Sequence, residues 1–63
     1  MIRFKVTLKN IDTGEGMYYY VEAVGFPSAM DEAFRRLEED HSFFGWYIVA
    51  VEIPRALSQL RAL

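Results

Sequence analysis

In the stretch IRFKVTLK, residues 2–9, apolar and polar side chains alternate strictly. A period of two is typical of a β-strand with one buried and one wet face. The apolar members are Ile2, Phe4, Val6 and Leu8, and the polar members are Arg3, Lys5, Thr7 and Lys9. Residues 10–16, NIDTGEG, are rich in turn-forming residues, and residues 17–24 have the composition of a second strand. The chain is therefore predicted to begin with an antiparallel hairpin.

After Gly25 the apolar period changes from that of a strand to that of a helix. Four apolar residues form one stripe at helical spacing, and charged residues occupy the rest of the wheel. The stripe consists of Met30, Ala33, Phe34 and Leu37. Ser28 is predicted as the N-cap, which places Asp31 and Glu32 in the first turn, where the helix dipole favours acidic residues. The pattern indicates an amphipathic helix.

A third strand and a short tail helix complete the chain. Residues 46–53, WYIVAVEI, are rich in β-branched and aromatic residues, which favour a strand. Pro54 suits the first position of a helix in the tail RALSQLRAL. We predict one α+β domain over residues 1–63 with the order β-β-α-β(-α). It has a three-stranded antiparallel sheet in the order 2-1-3, one main helix on one face and a short C-terminal helix.

Regular alternation along each strand predicts which side chains lie on which face of the sheet. The face under the helix receives Ile2, Phe4, Val6, Leu8, Met17, Tyr19, Val21, Ala23, Tyr47, Val49, Val51 and Ile53. The outer face receives a set of aromatic, apolar and basic side chains that is unusual for a wet surface. We predict that this set binds a partner, and its members are Tyr18, Tyr20, Trp46, Ile48, Arg3 and Lys5.

Three different groups could cover this outer face. The C-terminal helix could fold back and place Leu57 and Leu60 on Trp46 and Ile48. Two copies of the chain could form a homodimer, either by pairing their third strands or by exchanging C-terminal helices. A ligand or a protein partner could dock on the aromatic surface, because Tyr and Trp are enriched at interface hot spots.

Composition excludes several classes of protein. The 63 residues carry a net charge of -2, no cysteine and one histidine, so neither a disulfide framework nor a cysteine zinc site can form. The longest apolar run, residues 43–51, is far shorter than the roughly 20 residues that span a bilayer. A soluble, cytoplasmic protein with no membrane partner is expected.

No catalytic site, cofactor or metal site is predicted. His41 lies between Asp40 and Ser42, but neighbouring side chains point apart, whereas catalytic triads are assembled from distant segments. Single-stranded nucleic acid is an alternative partner, because Arg3 and Lys5 share a predicted face with aromatic residues that could stack on bases. The negative net charge makes nucleic acid less favoured than protein.

The order of short motifs resembles that of compact accessory proteins carried by phages and plasmids. These motifs are F-x-V-x-L, a polar turn, Y-x-V-E-A, a short helix and G-W-x-I-x-x-V-E. Some anti-CRISPR inhibitors share this β-β-α-β plan. The resemblance implies a non-enzymatic accessory or inhibitor protein that acts by binding a macromolecular partner, and it assigns no functional residue.

Overall fold

The computed structural model describes residues 1–40 and 44–54. Its elements are β1 (Ile2–Asn10), β2 (Gly16–Ala23), α1 (Phe26–Asp40) and β3 (Trp46–Glu52). The three strands form an antiparallel sheet in the order β2-β1-β3, so the predicted α+β architecture and strand order are confirmed. The predicted C-terminal helix and His41 lie outside the described residues.

The core lies between α1 and one face of the sheet. It is built around the alternating apolar residues of β1, since Phe4, Val6 and Leu8 are fully buried there. The other buried apolar residues are Val21 and Ala23 on β2 and Ala29, Ala33 and Leu37 on α1. Phe26 extends the core at one end, where its ring centroid lies 5.1 Å from that of Phe4. Ile2, predicted to be buried on this face, is instead exposed at the end of the strand.

The main helix begins earlier than its capping pattern predicts. The backbone N–H of Ala29 donates to the carbonyl of Gly25 at 3.0 Å, so Gly25 precedes the first turn and the prediction of Ser28 as N-cap is wrong. Pro27 does not prevent this start, because a first-turn residue has no intrahelical acceptor for an N–H. Ala29 is consequently buried, and Met30, predicted in the buried stripe, is partly exposed. The acidic pair falls beyond the first turn.

A register shift in β3 overturns the predicted faces of that strand. Leu8 on β1 lies opposite Ile48, whereas its neighbour Thr7 lies opposite Ala50, so Val49 is an extra residue with no partner on β1. Such a bulge reverses the alternation of faces beyond it. Trp46 therefore packs against the core together with Ile48, both having been predicted on the outer face. The predicted inward positions of Tyr47 and Val49 are wrong, and that of Val51 is confirmed.

Asn10 joins the hairpin turn to the segment that leads into β3. Its Oδ1 accepts hydrogen bonds from the backbone N–H groups of Asp12 at 2.8 Å and Thr13 at 3.0 Å. Its Nδ2 donates to the carbonyl of Phe44 at 3.5 Å. The backbone N–H of Ile11 also donates to the carbonyl of Gly45 at 2.8 Å. One buried amide thus fixes the turn and positions the start of β3.

Candidate functional site

Two tyrosines and two cations share the outer face of the sheet, and we call Arg3, Lys5, Tyr18 and Tyr20 the aromatic-basic patch. β1 and β2 pair in a regular register that places Lys5 directly opposite Tyr20. Each cation belongs to the wet face of β1, whose opposite face carries the core. Tyr18 and Tyr20 remain 53% and 42% exposed as residues, which leaves both rings accessible to a partner.

The patch is held together by contacts between its own members. The guanidinium carbon of Arg3 lies 5.1 Å from the ring centroid of Tyr20, and Nζ of Lys5 lies 4.6 Å from that of Tyr18. Both contacts run diagonally across the strand pair, a separation that long side chains and aromatic rings can span. The two rings meet edge to face, with centroids 5.5 Å apart and planes at 76°. Exposed cation–π contacts each contribute about 0.5–1 kcal/mol, so the rings are restrained before any partner arrives.

Carboxylates balance the positive charge around the patch. Glu22 lies opposite Arg3 on β2, and Glu52 lies opposite Lys5 on β3. Lys9 is the remaining cation on the outer face of β1. The outer face is therefore of mixed charge and does not form a continuous basic track.

The structure brings together four of the six residues predicted to bind a partner. Arg3, Lys5, Tyr18 and Tyr20 share the outer face as predicted, whereas Trp46 and Ile48 lie on the opposite face, against the core. Their places on the outer face are taken by Tyr47 and Val49, both exposed. No sequence signal predicts this exchange, because β3 is apolar at nearly every position and a bulge does not alter the pattern of such a run.

Trp46 lines an open groove on the helix side of the sheet. The groove encloses about 360 Å³ between the second half of α1 and the start of β3. Its lining is mainly aromatic and consists of Phe34, Glu38, Phe44, Gly45 and Trp46. Along this side the core is only partly covered by the helix, since Trp46 and Ile48 are partly buried and not fully so.

Residues 1–40 and 44–54 contain neither a metal-binding cluster nor a membrane-spanning helix. Within those ranges no three His, Cys, Asp or Glu side chains are grouped so as to hold a metal ion. In the same part of the chain, no helix is both long and apolar enough to cross a membrane.

Tyr19 is the tyrosine of the YYY run that faces the helix, and it ties β2 to the end of α1. Its hydroxyl donates to Oδ2 of Asp40 at 3.0 Å. The pKa of Tyr19 is raised above the usual 10.0, chiefly by burial and further by the hydrogen bond and the negative charge of Asp40. Arg36 opposes this shift with its positive charge. Folding thus favours the protonated form of the Tyr19 phenol.

This contact predicts a loss of stability in alkali. Because the folded pKa is raised, the contribution of Tyr19 is fully present below pH 10.0 and is lost as the pH rises through the folded pKa. Subtracting the tyrosinate absorbance titration of Tyr19→Phe from that of the wild type should isolate a transition above pH 10.0. Asp40→Asn retains an acceptor without the charge and should move that transition part of the way back. A transition unchanged by Asp40→Asn would contradict the assigned role of the carboxylate.

The fold and the patch define a small α+β domain with a preorganised aromatic surface on the outer face of its sheet. Comparison with protein-family models, with curated proteins and with solved structures gives no match.

Proposed function

We propose that this protein is a non-enzymatic interaction module that binds a protein partner through the aromatic-basic patch. The observation that carries the proposal is the pair of exposed tyrosine rings, each contacted by its own cation on a regular strand pair. Acting as an accessory or inhibitor of the phage or plasmid type, the chain would work by occupying a surface of its partner.

The chemistry of the patch suits a protein surface. Tyrosine offers a large apolar ring with a polar end, and it is among the residues that contribute most to binding at interfaces. Its two side-chain torsions lose little entropy on binding, and the contacts from Arg3 and Lys5 restrain them beforehand. The matching partner surface would present apolar groups to the rings and a carboxylate to the cations.

Single-stranded nucleic acid fits the same residues less well. Successive bases stack on aromatic faces, but the Tyr18 and Tyr20 rings are nearly perpendicular and each already faces a cation. Glu22 and Glu52 flank the cations and would repel phosphates. The restrained edge-to-face geometry thus favours a protein partner.

Removing both tyrosine rings is expected to abolish partner binding. Interface hot spots each contribute about 2 kcal/mol or more, so Tyr18→Ala with Tyr20→Ala should weaken binding by on the order of a thousandfold. The measurement is capture of proteins from a host lysate by the immobilised wild type and by the double variant. Ile11→Ala, which removes another exposed apolar side chain in the turn, is the matched control.

Two outcomes would count against a protein partner. Equal capture by the wild type and the double variant would remove the patch from the function. Tight binding of a labelled mixed-sequence single-stranded oligonucleotide, steeply weakened by salt and lost in the double variant, would reassign the patch to nucleic acid. Circular dichroism of each variant shows whether the fold is retained.

A further inference from the structure

The second surface with unused binding capacity is the outer edge of β3. In the described part of the chain β3 is the last strand on its side of the sheet. Edge strands usually carry charged residues that discourage pairing with another chain. The run WYIVAV, residues 46–51, has no charged residue, and Glu52 comes only at its end. Such an edge favours pairing with a further strand.

The hydrogen bonds at the open end of the sheet show which backbone groups of β3 point outward. Asn10 donates its N–H towards β2, to the carbonyl of Glu15, whereas Ile11 donates towards β3, to the carbonyl of Gly45. Alternation along β1 then directs Lys9 and the other odd-numbered residues towards β3. The β3 residues opposite them bond inward, among them Tyr47 and Glu52.

It follows that Ile48 and Val51 direct their backbone groups away from β1. Both lie opposite even-numbered residues of β1, namely Leu8 and Val6. In an antiparallel ladder these are the pairs that exchange no hydrogen bonds with each other. Their N–H and C=O groups therefore point to the open edge, and both side chains pack on the core side of the sheet.

We infer that the occupant of this edge is a second copy of the chain, with antiparallel β3 strands related by a two-fold axis between Val49 and Ala50. This register sets Ile48 opposite Val51 of the second copy, and by symmetry Val51 opposite Ile48 of the second copy. Ile48 and Val51, whose N–H and C=O groups point away from β1, thus lie opposite each other across the two copies. Each such pair exchanges two backbone hydrogen bonds.

The bulge selects this register. It reverses the alternation of faces at Val49. Core-facing residues before the bulge therefore lie opposite core-facing residues after the bulge in the second copy, and outer residues lie opposite outer ones. Ile48 and Val51 then meet on the core side, and Tyr47 meets Glu52 of the second copy on the outer side. Moving the axis by half a residue would set core-facing side chains opposite outer ones. The interface is isologous, as in most homodimers.

Pairing at this edge would also cover apolar surface that residues 1–40 and 44–54 of one chain leave partly exposed. Trp46, Ile48 and Val51 are only partly buried beneath the helix, and in the dimer the same side chains of the second copy adjoin them. The result is a continuous six-stranded sheet with helices on one face. The two aromatic-basic patches then lie on the β1–β2 pairs at opposite ends of the sheet, and their two β2 strands are about 24 Å apart at the usual strand spacing. This edge is separate from the patch, so either surface can be tested without the other.

Sedimentation of the full chain from low micromolar to millimolar concentration tests the dimer. A mass that rises to twice the 7.3 kDa of one chain is expected. Val49→Lys places two ammonium groups beside the axis and should raise the dissociation constant by on the order of tenfold or more. Val24→Lys, at an exposed valine after β2, is the matched control and should leave the constant unchanged.

Single cysteines test the register, because the chain has none of its own. The two copies of residue 49 would lie about 6 Å apart, within the range of a disulfide. Those of residue 47 would lie about 14 Å apart, because Tyr47 and Glu52 are opposite β1 residues that are four positions apart. Mild oxidation should therefore cross-link Val49→Cys and leave Tyr47→Cys monomeric on a denaturing gel. A monomer at every concentration, a dimer insensitive to Val49→Lys, or equal cross-linking of both variants would each overturn the inference. None of these results bears on binding through the patch.

Discussion

Leu37→Ala is expected to unfold a large part of the protein at room temperature. Leu37 is fully buried on α1, in contact with the sheet residues of the core. Truncating a buried leucine to alanine destabilises a protein by about 2–5 kcal/mol. A core of this size rarely supplies more than about 3–5 kcal/mol, so the loss is comparable with the whole free energy of unfolding. Urea unfolding followed by far-ultraviolet circular dichroism measures it.

Met30→Ala is the control for this substitution. Met30 lies two turns earlier on the same helix and is partly exposed, so its truncation should cost much less. Both variants must be compared at one protein concentration, because the proposed dimer would raise the apparent stability by mass action. Equal destabilisation by the two substitutions would contradict the assignment of Leu37 to the centre of the core.

The sequence predicts the architecture well because its apolar residues recur with the period of a strand in the hairpin and with the period of a helix after Gly25. The alternation in β1 survives in the structure from Phe4 to Leu8, and the YYY run divides between the two faces as expected. Tyr19 faces the helix and bonds to Asp40, whereas Tyr18 and Tyr20 lie on the outer face. In a strand with one buried and one solvent-exposed face, the sequence predicts which residues face the core. Exchanging the two faces would expose the apolar side chains and bury the polar ones, which destabilises the fold.

In β3 the hydrophobic pattern does not decide which face is buried. Trp46 and Ile48 were predicted in the partner-binding set on the outer face but pack against the core. Every residue from Trp46 to Val51 is apolar or aromatic, so either face assignment satisfies the hydrophobic pattern. What decides between them is the register with β1, which the bulge at Val49 shifts by one residue. A register is set by long-range pairing, and no local pattern in the sequence reports it.

Asn10 shows a second limit of sequence patterns. Its place in a turn is predictable from the neighbouring Asp, Thr and Gly residues, but its bond to the carbonyl of Phe44 joins segments 34 residues apart. This buried amide fixes where β3 starts, and with it which residues reach the edge and the outer face. The candidate surfaces thus depend on a polar contact that is not part of either surface.

Gly45→Ala is expected to disturb that contact and to destabilise the protein by roughly 2–4 kcal/mol. Gly45 has φ of 84°, a backbone conformation that residues with a side chain rarely adopt. An added Cβ would also lie 3.0 Å from Oδ2 of Asp12 and 3.1 Å from Nδ2 of Asn10. Alanine would therefore both strain the backbone and push on the amide that holds the turn. Urea unfolding gives the total loss, and the fluorescence of neighbouring Trp46 reports the local change.

Two other glycines separate the contributions of conformation and crowding at Gly45. Gly14 has a similar φ of 79°, but an added Cβ there would have no atom within 4 Å. Gly14→Ala should therefore reduce stability only through backbone strain, by about 1–2 kcal/mol. Gly16 has neither feature, and Gly16→Ala should change stability least. Asp12→Ala removes the closest atom and should recover part of the loss in Gly45→Ala, a coupling that a double-mutant cycle measures. Gly14→Ala and Gly45→Ala could instead lose equal stability, with no coupling between Gly45 and Asp12. That result would show that crowding against the turn contributes nothing to the stability loss, and that backbone conformation alone fixes the start of β3.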